Sequence, residues 1–155
     1  PFLAQLMPVS ISEERAKGYF LQLTSALAYL HENGVSKFPL KYSGISKKSM
    51  SLHVAHNDIK PSNIMLSSTN TPIFVDFGFA QKWDVNAVHT GASTLIGGLT
   101  TLTGHSASCH ELFQSEISWG TPEYLDPQRA KGLRHDERAS DVWALGVGFR
   151  DLPNL

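Results

Sequence analysis

The sequence predicts an α+β fold, mostly helical, with a short β-hairpin. Three observations carry this. Apolar residues recur at three- and four-residue steps from Ala16 to Leu30, the period of a helix buried along one stripe. Two short β-prone runs, Ile64-Met65-Leu66 and Ile73-Phe74-Val75, are joined by the turn formers Ser67-Ser68-Thr69-Asn70-Thr71-Pro72, a hairpin signal. The stretch from Ser140 to Val147 is apolar and compact and reads as a second, buried helix.

Taken in order, residues 1–9 are short and apolar and read as the tail of an element. The first long helix is predicted over 12–33. Ser10 and Glu13 have capping-box spacing, Glu13 and Glu14 suit the positive end of the helix dipole, and Gly34 after Asn33 is a natural stop. Residues 36–53 hold Lys37, Lys41, Lys47 and Lys48 with no acid, Pro39, Gly44 and several serines. They read as an exposed basic insert loop, with a basic docking surface as the sharper alternative. The hairpin follows. Residues 79–119 are rich in Gly, Ser and Thr with weak periodicity and read as one long loop. Ser140 or Asp141 is expected to cap the last helix, and Pro153 to prevent its continuation through 149–155.

Composition excludes several classes. Thirteen basic against fourteen acidic residues in 155 give net −1, which argues against nucleic acid as a partner. No apolar run approaches the roughly 18 residues of a membrane span, so no membrane partner is expected. The single cysteine, Cys109, excludes an intramolecular disulfide framework and fits a reducing, intracellular compartment, cytoplasm or nucleus. His105, Cys109, His110 and Glu111 match no zinc module in spacing. The residues imply no particular oligomeric state.

The hairpin has a chemical consequence at its ends. Asn63 precedes its first strand and Asp76 follows its second, and an antiparallel pair brings its open ends together. An amide oxygen beside a carboxylate is a hard donor set that suits Mg²⁺, which keeps waters and bridges phosphates. Asp58 lies five residues before Asn63, and Lys60 two after Asp58. These supply an orienter or base for a nucleophile, a cation for phosphate oxygens, and two metal ligands, the parts of a phosphoryl-transfer site. Singly, such charges in a loop are ordinary solvated groups; the shared spacing is what gives them weight.

His56-Asn57-Asp58-Ile59-Lys60-Pro61-Ser62-Asn63 resembles the catalytic loop of the eukaryotic-type protein kinases, and Asp76-Phe77-Gly78 their metal-binding triplet. Gly120-Thr121-Pro122-Glu123-Tyr124 resembles the segment closing the activation loop, and Asp141-Val142-Trp143-Ala144-Leu145-Gly146 the start of the central helix of the C-terminal lobe. Four motifs stand in family order. The resemblance implies a mostly helical kinase C-terminal lobe and transfer of the ATP γ-phosphoryl group to protein Ser or Thr hydroxyls with Mg²⁺. It implies Asp58, Lys60 and Thr121 as catalytic residues, Lys60, Asn63 and Asp76 as nucleotide-binding, and Asn63 and Asp76 as metal ligands. His56 and Phe77 are then packing residues, Asp141 holds the loop backbone, and 79–119 corresponds to the activation loop.

The match also departs from the family. Asn57 stands where many members carry an arginine that receives the activation-loop phosphate, and Asn has no charge to meet one. No G-x-G-x-x-G loop and no strand with a V-A-I-K lysine occur. Residues 1–155 are therefore expected to be a partial kinase domain, without N-terminal lobe and last helices, inactive alone. The alternatives are a truncated kinase or pseudokinase serving as a protein-binding module, and a phosphotransferase for small molecules. Lys60 and the Gly120–Tyr124 segment favour protein substrates.

Overall fold

A computed structural model describes residues 1–6, 11–33, 52–84 and 114–150. Helix α1 (Leu3–Leu6) is followed by α2 (Glu13–Asn33), strand β1 (Leu52–Ala55), a 3-10 turn (Pro61–Asn63), β2 (Ile64–Leu66), β3 (Pro72–Phe74) and β4 (Gln81–Asp84). After these come β5 (Gln114–Ser115), a second 3-10 turn (Pro122–Tyr124), α3 (Pro127–Ala130), β6 (His135–Asp136) and α4 (Glu137–Arg150). The strands form three separate antiparallel pairs, β1 with β4, β2 with β3, and β5 with β6.

The stripe read from the sequence is the buried face of α2: Ala16, Tyr19, Leu23, Leu27 and Leu30 are in the core. Ser12, whose Oγ accepts from Arg15 N at 3.4 Å, starts the helix; Ser10 lies outside the described residues. This stripe packs with Ile59, Ile64, Leu66 and Phe74 from the loop and hairpin and with Ala144, Leu145 and Phe149 of α4. The Phe20 and Phe149 rings meet edge to face at 5.1 Å. A β2–β3 hairpin thus lies on a two-helix platform, with the residues of greatest chemical interest at its open end.

Four expectations are corrected. The second hairpin strand is Pro72–Phe74, one residue earlier than Ile73–Val75, because Ile64 pairs with Phe74 and Leu66 with Pro72. The last helix begins at Glu137 and runs to Arg150 with Phe149 buried, so Ser140 and Asp141 lie inside it rather than at its cap. Asp136 caps it, accepting from Arg138 N at 2.9 Å. The stretches read as loops at 36–53 and 79–119 contribute strands: Leu52–Ala55 pairs with Gln81–Asp84, and Gln114–Ser115 with His135–Asp136. Residues 34–51 and 85–113, including the basic segment and His105, Cys109, His110 and Glu111, lie outside the described residues. Among the described residues no helix is long and apolar enough to cross a membrane.

Candidate active site

The loop from His56 to Lys60 leaves β1 and is fixed from below by Asp141. Asp141 Oδ2 accepts from His56 N at 2.7 Å and Oδ1 from Asn57 N at 2.8 Å. His31, near the end of α2, adds a third bond to Oδ2 at 3.0 Å. Asp141 is 1% exposed, and three charge-assisted donors offset the cost of its burial. The loop turns at Asn57, whose φ of 67° is left-handed, a conformation Asn tolerates better than most residues.

The His56 imidazole holds the loop from its other side. Nδ1 accepts from Asp58 N at 3.3 Å while Nε2 donates to Val75 O at 3.1 Å, roles only the neutral Nε2–H tautomer fills together. The ring packs on Phe77 at 4.7 Å and Phe74 at 5.7 Å. The backbone turn at residues 56–58 and the Asp76-Phe77-Gly78 triplet that follows β3 are thereby one unit.

Asp58, 5% exposed, sits at the centre of the cluster. Its Oδ1 accepts from Thr121 Oγ1 at 2.7 Å and from Thr121 N at 3.1 Å. Its Oδ2 accepts from Lys60 Nζ and from Asn63 Nδ2, both at 2.9 Å. Lys60 Nζ also donates to Thr121 Oγ1 at 2.6 Å, so that hydroxyl accepts from Lys60 and donates to Asp58. Burial pushes the Asp58 carboxyl up, but the bonds from Lys60, Thr121 and Asn63 outweigh it and hold it below the ordinary carboxylate range. Asp58 is therefore an anion at neutral pH with two donors on each oxygen.

Gly120 brings Thr121 there. At its φ of +127° a Cβ would lie 3.0 Å from Asn57 O and 3.2 Å from Leu125 Cδ2, so the close approach of the two segments requires glycine.

Asn63 Nδ2 donates to both Asp58 O and Asp58 Oδ2 at 2.9 Å, which leaves Oδ1 as its free acceptor. Val75 N donates to Asn63 O at 3.0 Å, so Asp76 follows directly beside Asn63 at the open end of the hairpin. Asp76 is exposed, with φ 62°, and accepts from Gly78 N at 3.3 Å. An amide oxygen and an exposed carboxylate are hard donors that fit Mg²⁺. Among the described residues no group of three or more His, Cys, Asp or Glu could hold a metal.

The structure thus gathers Asp58, Lys60, Asn63 and Thr121 through direct bonds and sets Asp76 at the adjoining hairpin end. Sequence reasoning missed His31 and Glu137, whose partners lie far away in the chain. Asn57 Nδ2 donates to Glu137 Oε2 at 3.1 Å. Ser140, expected as a cap, instead donates to Asp126 Oδ2 at 2.6 Å. Asp126 itself caps α3, accepting from Gln128 N and Arg129 N; the Asp-Pro pair at 126–127 was a readable signal for it.

The family model for the protein kinase domain matches residues 3–153. The chain belongs to the protein kinase domain family. An Aurora kinase of Schizosaccharomyces pombe is 31% identical over 136 residues, covering 88% of this chain and 25% of that protein. A putative serine/threonine-protein kinase B of Trypanosoma brucei brucei is 30% identical over 143 residues, covering 92% and 23%. The serine/threonine-protein kinase AtPK1/AtPK6 of Arabidopsis thaliana is 25% identical over 135 residues, covering 87% and 19%. These kinase relatives belong to the serine/threonine branch, and the chain spans about a quarter or less of their length.

Proposed function

We propose that residues 1–155 are the catalytic portion of the C-terminal lobe of a protein serine/threonine kinase that moves the γ-phosphoryl group of ATP to Ser or Thr hydroxyls of proteins. The observation that carries this reading is the Asp58 carboxylate, held by Lys60, Asn63 and Thr121.

Each oxygen of Asp58 is already bonded, so a substrate hydroxyl needs one donor to yield. Lys60 is the one free to move, its side chain being 23% exposed on a flexible stem. In this reading the Lys60 ammonium turns from Asp58 Oδ2 to the γ-phosphoryl oxygens as nucleotide arrives. Oδ2 then accepts the hydroxyl of the substrate, aims its oxygen at phosphorus and takes its proton as the new P–O bond forms and the bond to the β-phosphate breaks. Thr121 keeps Oδ1 in place throughout. Asn63 Oδ1 and Asp76 would hold Mg²⁺, which when bound neutralises charge on the phosphates. Residues 79–119 serve as the activation segment, and the basic stretch that precedes β1 as an insert. ATP and a protein substrate are the expected partners, in the cytoplasm or nucleus.

The test is phosphate transfer from labelled ATP by the full-length protein onto matched peptides. Labelling of Ser and Thr peptides, with Tyr peptides and small alcohols such as aminoglycosides unlabelled, is the expected result; labelling of small molecules alone would overturn it. The absence of a G-x-G-x-x-G loop from the sequence favours a second reading, in which the chain alone binds partners without transferring phosphate. Thermal melting separates the two: Mg-ATP raises the melting temperature of a working kinase and leaves a scaffold unmoved.

A further inference from the structure

The geometry points to Asn57 as a positioning residue that clamps the catalytic loop between the Asp76-Phe77-Gly78 turn and the start of α4, through a neutral amide and a buried carboxylate. This deepens the kinase reading and rests on it.

Asn57 is 4% exposed. Its Nδ2 donates to Phe79 O at 3.3 Å and to Glu137 Oε2 at 3.1 Å. Both partners are acceptors, so the NH₂ end must face them; a flipped amide would set Oδ1 against a carbonyl and a carboxylate. Glu137 is 1% exposed. Burial pushes its carboxyl up, and hydrogen bonds from Asn57 and Ser115 and the nearby Arg129 charge oppose that. Glu137 therefore ties three segments together: the catalytic loop through Asn57, the 114–115 strand through Ser115, and α4 on which it lies.

Glu137 and Asp141 stand one helical turn apart on α4. The first binds the side chain of Asn57 and the second binds its backbone N–H. Residue 57 is thus gripped twice by one rigid helix, immediately before Asp58. Asn57 Oδ1 is buried with no partner among the described residues. Leaving a buried acceptor unbonded is costly, and a residue serving only to fill space would avoid it. What the amide supplies is its two N–H bonds.

The decisive variant is Asn57→Asp, which keeps the shape and replaces the donors with oxygen facing Glu137 and the Phe79 carbonyl. Adding Glu137→Gln restores a donor opposite an acceptor with the roles exchanged. In the full-length protein Asn57→Asp is expected to lower kcat by about tenfold or more, with KM for Mg-ATP within about twofold, and the double variant to recover at least about threefold. A purely space-filling role predicts no loss.

The second readout needs no activity. Thr121 N bonds Asp58 Oδ1, so exchange of the Thr121 amide hydrogen in 1–155 reports the loop's position. It should quicken in Asn57→Asp and slow again in the double variant. Wild-type exchange in Asn57→Asp, or a loss that Glu137→Gln does not relieve, would overturn the clamp. If Asn57→Asp does not fold, Asn57→Gly keeps the left-handed backbone and deletes the amide without adding charge; quicker Thr121 exchange then supports the clamp and unchanged exchange overturns it. A wild-type protein that labels no peptide sinks the kinase reading, while Thr121 exchange still decides the clamp.

Discussion

Thr121 joins the two charges of the site, accepting from Lys60 Nζ and donating to Asp58 Oδ1 through one hydroxyl. Its backbone N–H gives Asp58 a second bond that replacement by Ala or Ser leaves in place. Thr121→Ala should therefore lower kcat by roughly tenfold, the scale of one hydrogen bond to a charged group at 1.5–3 kcal/mol less what the backbone retains. Thr121→Ser should keep most of the rate. Steady-state kinetics on a Ser peptide decide it, and equal rates for Ala and Ser would remove Thr121 from the machinery. Asp58, Lys60 and Asn63 were legible as a group because they lie within one loop, where spacing alone limits their distances. Thr121 was legible only through the family motif, since its bonds to Asp58 span 63 positions. His31 and Glu137 carried no comparable signal: an imidazole at a helix end and an acid at a helix start are ordinary, and their buried partners appear only in three dimensions.

Phosphate-driven ordering of the 79–119 segment requires a cation to meet the phosphate. Asn57 supplies none, and its amide donors are engaged by Glu137 and the Phe79 carbonyl. Arg129, a cation just beyond the segment, is 3% exposed and lies among Glu137, Asp141, Asp126 and Asp58. Activity of the full-length protein should therefore survive phosphatase treatment and replacement of the segment's hydroxyl residues by Ala. A tenfold fall in kcat/KM, about 1.4 kcal/mol, restored on rephosphorylation, would contradict this. The elements that sequence reasoning found were those with a periodic or turn signal: α2, the β2–β3 hairpin and the body of α4. It missed β1, β4, β5 and β6, which are two to four residues long and owe their pairing to distant segments. The start of α4 was placed too late because Glu137 and Arg138 look like surface charges, whereas Glu137 is buried.

At the scale of the molecule, buried acids of opposite behaviour set the response to pH. Asp58 and Asp126 are buried and Asp136 is half-buried, yet all three are held below the ordinary 3.8 by their hydrogen bonds, so the stability they lend is complete above that value and lost as pH falls through their lower folded values. Glu137 is raised above 4.5 by burial, so its contribution is complete below that value and lost as pH rises through the raised one. Urea midpoints of 1–155 should fall toward acid, and Glu137→Gln should gain on the wild type as pH rises above 4.5. A constant difference between the two proteins would contradict this assignment. In the proposed function Asp58 and Asp76 have different parts: Asp58 would aim the nucleophile and Asp76 would hold the metal. The most direct measurement compares Asp58→Asn and Asp76→Asn in the full-length protein, by peptide phosphorylation and by Mg-ATP binding. The account predicts that both lose most turnover, roughly a hundredfold or more, that Asp76→Asn also weakens Mg-ATP binding, and that Asp58→Asn leaves it nearly intact. Full transfer by Asp58→Asn, or equal losses of nucleotide affinity in both variants, would contradict it.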